Sequence, residues 1–121
     1  MSWKFDAHTP VFVQIASHLR CEIVAGKYVA DEQIPSVRML AARTSVNPNT
    51  MQKALSLLEE EGLLYTRGTL GRFVTSNREV LDAARERMRQ DAVKKMLSEI
   101  REMGITKEEL IQYIQKEDTV L

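Results

Sequence analysis

The chain has 121 residues, 44% of them hydrophobic, enough for one modest core and an appendage but not for two full domains. Its 17 basic and 17 acidic side chains give a formal net charge of zero, which excludes a protein that coats nucleic acid by bulk charge, so any such binding must come from a local patch. One cysteine, Cys21, excludes an internal disulfide framework and a cysteine-rich zinc site, and no apolar run approaches the roughly 18 residues that span a bilayer.

No basic-then-apolar leader is visible at the start, so a soluble, cytoplasmic protein without membrane contact is expected. Ser2 to Asp6 alternates Trp3 and Phe5 with Lys4, as either a short strand or an extended arm packed on the core. Thr9 and Pro10 then give a cap-plus-proline start, and Phe12, Ile15, Ala16, Leu19 and Ile23 form the apolar stripe of a helix reaching about Ala25. His18 and Cys21 lie on its other face. No further soft ligand completes a tetrahedral metal set, and contact with the C-terminal helices or a partner subunit is expected there. Lys27 to Ile34, with Asp31 and Glu32, reads as a loop lying away from phosphate.

The stretch from Pro35 to Val74 is denser in signals. Ser36 caps a helix running to Arg43, and Pro35 keeps the entering chain extended. After a break at Thr44-Ser45-Val46, Asn47 and Pro48 supply the N-cap and first position of a second helix, which Gly62 ends. On that second helix Met51, Ala54, Leu55 and Leu58 repeat at i, i+3, i+4, i+7 and face the core, while Asn49, Gln52, Lys53 and Ser56 repeat on another face. Leu63 to Arg67, a Gly68-Thr69-Leu70-Gly71 turn and Arg72 to Thr75 read as a hairpin.

Acids are absent from Gln33 to Leu58 and again from Gly62 to Arg78, two windows that hold Arg38, Arg43, Lys53, Arg67, Arg72 and Arg78. A surface free of carboxylates and supplied with cations is what a polyanion needs. Glu59, Glu60 and Glu61 sit at the far end of the second helix, so entry by its N-terminal end is favoured. Two helices joined by a tight turn and followed by a glycine-tipped hairpin make a winged helix-turn-helix, whose second helix fits a DNA major groove. Arg67 and Arg72 would bring the wing to the phosphate backbone or a narrow minor groove, with Leu63, Tyr65, Phe73 and Val74 packing behind them.

From Ser76 the pattern changes. Ser76 and Glu79 suggest a capping box for one long helix with Leu81, Ala84, Met88, Ala92, Met96 and Ile100 at near-helical spacing, widened by Val93, Leu97 and Met103. Gly104 stops it. Thr106 with Glu109 starts another, whose apolar face is Leu110, Ile111 and Ile114. A helix pair this thin cannot hide its own apolar face, so the stripe is expected to pair two subunits and set two reading helices on successive major grooves. The expected fold is therefore mainly α with a small β wing: a winged helix-turn-helix domain over residues 1–76 and a helical dimerisation element over 77–121. Charge does not separate the halves, which carry 8 basic and 7 acidic side chains against 9 and 10.

The runs Pro35-Ser36-x-Arg38-x-Leu40-Ala41, Val46-Asn47-Pro48-Asn49-Thr50, Ala54-x-x-x-Leu58-x-x-x-Gly62-Leu63 and Gly71-Arg72-Phe73-Val74 resemble the DNA-binding domain of GntR bacterial transcription regulators, from about Thr9 to Thr75. The Asn47-Pro48-Asn49-Thr50 form and the short tail resemble the YtrA-type subfamily, whose C-terminal helices look like dimerisation elements. The resemblance implies that Ser36 and Arg38 meet DNA backbone or a base edge, that Asn47, Asn49 and Thr50 meet DNA at the start of the reading helix, and that Gln52 and Lys53 follow along it. Arg43, Arg67, Thr69, Gly71 and Arg72 complete the expected DNA-binding set. Three departures prevent transfer of a family operator: Pro48 stands where many members have a base-reading Arg, Gln52 replaces a second Arg, and Arg72 replaces the Thr of Gly-Thr-Phe-Val.

The expectation is a homodimeric, sequence-specific transcription regulator, a repressor of an inverted-repeat operator in double-stranded DNA, with no cofactor and no metal. The short tail leaves no room for an enclosed effector pocket except between subunits. Two histidines and one cysteine without a nucleophile–base arrangement argue against an enzyme. The alternative is a winged helix that docks on a protein without reading DNA sequence, and salt dependence separates the two, because only phosphate binding weakens steeply as counterions compete.

Overall fold

The computed structural model describes residues 3–117. Five helices and one hairpin follow in the order α1 (Val11–Val24), α2 (Val37–Thr44), α3 (Pro48–Glu60), β1 (Leu64–Arg67), β2 (Gly71–Val74), α4 (Arg78–Glu102) and α5 (Lys107–Lys116). They fall into two units, one ending at Glu86 and one from Arg87 onward.

In the first unit the expected stripes meet. Ile15, Ala16, Leu19 and Ile23 of α1, Leu40 and Ala41 of α2, and Met51, Ala54, Leu55 and Leu58 of α3 form one buried cluster, closed by Leu63, Leu64 and Val74 from the wing. Burying apolar side chains of this size is worth roughly 1.5 to 3 kcal/mol each, so α1 is the support on which α2 and α3 stand.

The caps explain where α2 and α3 begin. Ser36 Oγ accepts the Met39 N–H at 3.1 Å, and Asn47 Oδ1 accepts the Asn49 N–H at 2.7 Å with Pro48 at the first helical position. Between the helices Ser45 turns left-handed at φ 57°, so the Val46 N–H reaches back to the Ala41 carbonyl at 3.0 Å. That closure makes the turn tight and fixes α3 against α2.

Four details are decided only in the fold. First, Thr9 does not cap α1: Pro10 is the N-cap residue and no side chain bonds there. Instead the Asp6 carboxylate accepts the His8 N–H, and Gln14 ties back to the Asp6 backbone and the Thr9 carbonyl. A glutamine one turn inside the helix reaches those groups, and Pro10 already holds its φ at −52°. Second, Asn77 rather than Ser76 caps α4, accepting the Glu79 and Val80 N–H groups at 3.0 and 3.3 Å. Third, of the two readings for the first residues the arm is the one that fits: Trp3 to Asp6 forms no strand, and Trp3 and Phe5 pack against the core, with Ser2 of that segment outside the described residues.

The fourth concerns the loop after α1. The Ile34 N–H reaches the Arg72 carbonyl at 3.0 Å, the Val74 N–H reaches Glu32 at 2.9 Å, and Gln33 bridges Phe73. The loop thus lies along β2 through one isolated bridge and backbone hydrogen bonds, without joining the two-stranded sheet. The hairpin itself pairs Leu64 with Val74, Tyr65 with Phe73, Thr66 with Arg72 and Arg67 with Gly71.

The second unit carries the rest of α4 and α5. The Thr106–Glu109 capping box forms as read, and the Thr106 backbone and hydroxyl hold the Glu109 carboxyl below its ordinary pKa. No described residue of α4 or α5 is buried.

Candidate nucleic-acid interface

The polar face of α3 lies opposite its buried residues. Asn49, Gln52 and Lys53 are exposed and Thr50 is half-buried, while Arg38 and Arg43 are exposed on α2. No acid occupies the first turn of α3, so the positive end of its dipole is unopposed.

The expected residues fall into three conditions. The side chains of Arg38, Arg43, Asn49, Thr50 and Gln52 have no hydrogen-bond or ionic partner among the described residues, and Thr69 stands exposed at the wing tip. Lys53 and Arg67 are steered by aromatic rings, the ammonium 6.0 Å from the Phe12 centroid and the guanidinium 5.3 Å from that of Phe73. The remainder are committed within the fold. Ser36 and Asn47 spend a side-chain oxygen on capping, and Arg72 is ion-paired with Glu59.

Gly71 is a geometric requirement. Its φ is +124°, and a Cβ there would stand 2.9 Å from Gln33 Nε2, which donates to the Leu70 carbonyl at the wing tip. Tyr65, on the same face of the hairpin as Phe73, donates its hydroxyl to Asp31 at 2.7 Å, and that bond raises the phenol above its ordinary pKa. The acidic loop is therefore an anchor of the wing.

The acids at the end of α3 are largely neutralised. Glu59 receives Arg72 and the Thr66 hydroxyl, and Glu61 takes Arg20 of α1 through two bonds of 2.7 and 2.6 Å. Sequence reasoning located the acids but not these partners, because Arg20 lies 41 residues from Glu61. His18 stacks on Trp3 with centroids 4.6 Å apart and meets Phe5 edge-on, while both it and Cys21 remain exposed. Among the described residues no group of three or more His, Cys, Asp or Glu side chains could hold a metal, and no helix is long and apolar enough to cross a membrane.

Residues 12–74 match the family described as bacterial regulatory proteins, gntR family. The chain belongs to the GntR family. Over 114 residues it is 31% identical to the HTH-type transcriptional regulator YhcF of Bacillus subtilis, covering 94% of each chain. The HTH-type transcriptional repressor YtrA of the same organism is 28% identical over 109 residues, 89% of this chain and 84% of that one. Among solved structures, a GntR family transcriptional regulator from Listeria monocytogenes superposes with a TM-score of 0.83 at 32% identity, over 94% of this chain and 100% of that chain. The AraR DNA-binding domain in complex with operator ORX1 superposes with a TM-score of 0.57 at 26% identity, over 62% and 95%. The GntR chain is thus a YtrA-like, DNA-binding transcription regulator with a winged helix-turn-helix and C-terminal helices, as its sequence motifs implied.

Proposed function

We propose that this GntR regulator binds an inverted-repeat operator as a homodimer in the cytoplasm and represses transcription. The observation that carries the reading is the exposed polar face of α3, free of acids from Pro48 to Leu58 and flanked by Arg38 and Arg43, which make no internal hydrogen bond or salt bridge among the described residues. Asn49, Thr50, Gln52 and Lys53 read base edges, with Asn47 beside them. Ser36, Arg38 and Arg43 hold phosphate, and Arg67 and Thr69 carry the wing to the backbone, with Gly71 and Arg72 shaping it. The name of the related YtrA supports the sign of regulation.

Dimerisation rests on a bare apolar face. Val93, Met96, Leu97, Met103, Ile111 and Ile114 remain 38–74% exposed within one chain. Leu81 and Ala84, by contrast, pack on the core of the first unit, so the interface begins at Met88 and continues through Ala92, Met96 and Ile100 to Leu110, Ile111 and Ile114. In function the chain divides into a DNA-reading part, residues 1–76, and a dimerising part, 77–121, with the opening turns of α4 packed on the former.

Two substitutions test the reading. Arg38→Ala is expected to weaken binding to all duplexes by about tenfold and lower the salt slope by about one, whereas Gln52→Ala relaxes base preference at one position at a cost of roughly 1 to 3 kcal/mol on the preferred site. Titration of labelled duplexes at several salt concentrations checks both. Equal losses on every sequence for Gln52→Ala would remove it from base reading, and unchanged affinity would remove Arg38 from the site.

A further inference from the structure

We propose that Glu59 and Arg72 form a brace that fixes the direction of the wing relative to the reading helix, so that Arg72 serves DNA binding through Glu59 and not by touching DNA. The inference rests on the DNA-reading function and assigns Arg72 a positioning role within it.

The geometry is a cross-link of three elements. One oxygen of the Glu59 carboxylate, in the last turn of α3, accepts both the Arg72 Nε–H of β2 and, at 3.0 Å, the Thr66 hydroxyl of β1. Thr66 and Arg72 are cross-strand partners, so a single carboxylate grips the hairpin by both strands on one face. The Arg72 side chain is only 16% exposed and that of Glu59 30%, so both are largely taken up within the fold. Two strands of four residues have little stiffness of their own, and a hairpin this short needs side-chain anchors to hold its direction. Gln33 supplies a second anchor near the tip, through the Leu70 carbonyl.

Electrostatics gives the proposal an unusual sign. Glu59 is a negative charge beside a DNA-binding surface, so its removal should tighten DNA binding if charge alone mattered. If the carboxylate holds the wing, its removal weakens binding. The probe is a duplex carrying the inverted repeat selected by the wild-type, full-length protein; failure of the wild type to bind any duplex selectively would count against the function itself, not the brace. Glu59→Ala is expected to raise Kd about tenfold, and Glu59→Gln, which keeps an acceptor for both donors, to recover most of that loss. Hydroxyl-radical footprints should lose protection at the wing-side flank of each half-site and keep it where α3 lies. Unchanged or tighter binding by Glu59→Ala overturns the brace, as does an unaltered flank. Should that variant melt early, Thr66→Val provides the check without a change of charge: a smaller loss confined to the same flank supports the brace, and full flank protection refutes it.

Discussion

Met96→Asp is expected to convert the protein to monomers and to lower operator affinity by about a hundredfold or more, because two linked readers gain avidity of order 10² to 10⁴ over one. Met96 and Leu97 are 40% and 38% exposed in the single chain, so a carboxylate at either costs little in the isolated subunit. Against a second copy the same carboxylate would be buried in an apolar seam without a partner, a cost of several kcal/mol at each of two symmetry-related sites. Sedimentation equilibrium and duplex titration on the same sample check both halves of the expectation, while thermal unfolding of the winged domain should not change. A variant that still sediments as a dimer would place the interface elsewhere. Truncation is the blunter alternative and should follow Glu86, not Ser76, since Val80, Leu81 and Ala84 pack on the first core and Arg85 donates twice to the Val24 carbonyl.

Leu58→Ala has the opposite signature, a large effect on stability and an indirect one on DNA. Leu58 is fully buried between α1 and the wing, at 0% exposure, and removing its branched end leaves a cavity costing about 2 to 5 kcal/mol. For a domain of this size each kcal/mol moves Tm by roughly 4 to 8 °C, so a fall of about 10 °C or more is expected by calorimetry or circular dichroism. A shift of a degree or two would mean that the core relaxes around the gap. Gln52→Ala, one face away on the same helix, should move Tm hardly at all, and the contrast separates residues that build α3 from those that α3 presents.

The elements that were legible in the sequence are those whose signals are local. Ser36, Asn47-Pro48 and Gly62 mark α2 and α3 because capping and left-handed stops are decided within a few residues, and the i, i+3, i+4, i+7 stripe of Met51, Ala54, Leu55 and Leu58 faces the core as the period requires. The Thr106–Glu109 box is equally local. What was not legible depends on chain segments meeting from afar. The Asp31–Gln33 segment has no alternation to announce a strand, and it pairs with β2 only because the wing folds beside it. The His18 stack needs Trp3 to fold back, and the neutral end of α3 needs Arg20 and Arg72. At Ser76 the error was one of competition: Asn77 stands one residue closer to α4 and wins the cap, while the Thr75 hydroxyl accepts the Asn77 N–H.

For the candidate site, residue types and spacing gave the exposure of Asn49, Gln52 and Lys53 on one face of α3, but not the state of each side chain. Arg38 and Arg72 look equivalent in sequence. In the fold the first has no internal partner and the second is gripped by Glu59. That difference is why distinct roles are proposed for the two cations.

The most direct test of the central claim is selection of bound duplexes from a random DNA library with the purified full-length protein at near-physiological salt. The account predicts enrichment of an inverted repeat with half-sites about one helical turn apart, about 34 Å centre to centre, or a multiple of that. Folded protein that enriches no sequence, and whose retention on DNA does not fall with added salt, would contradict it.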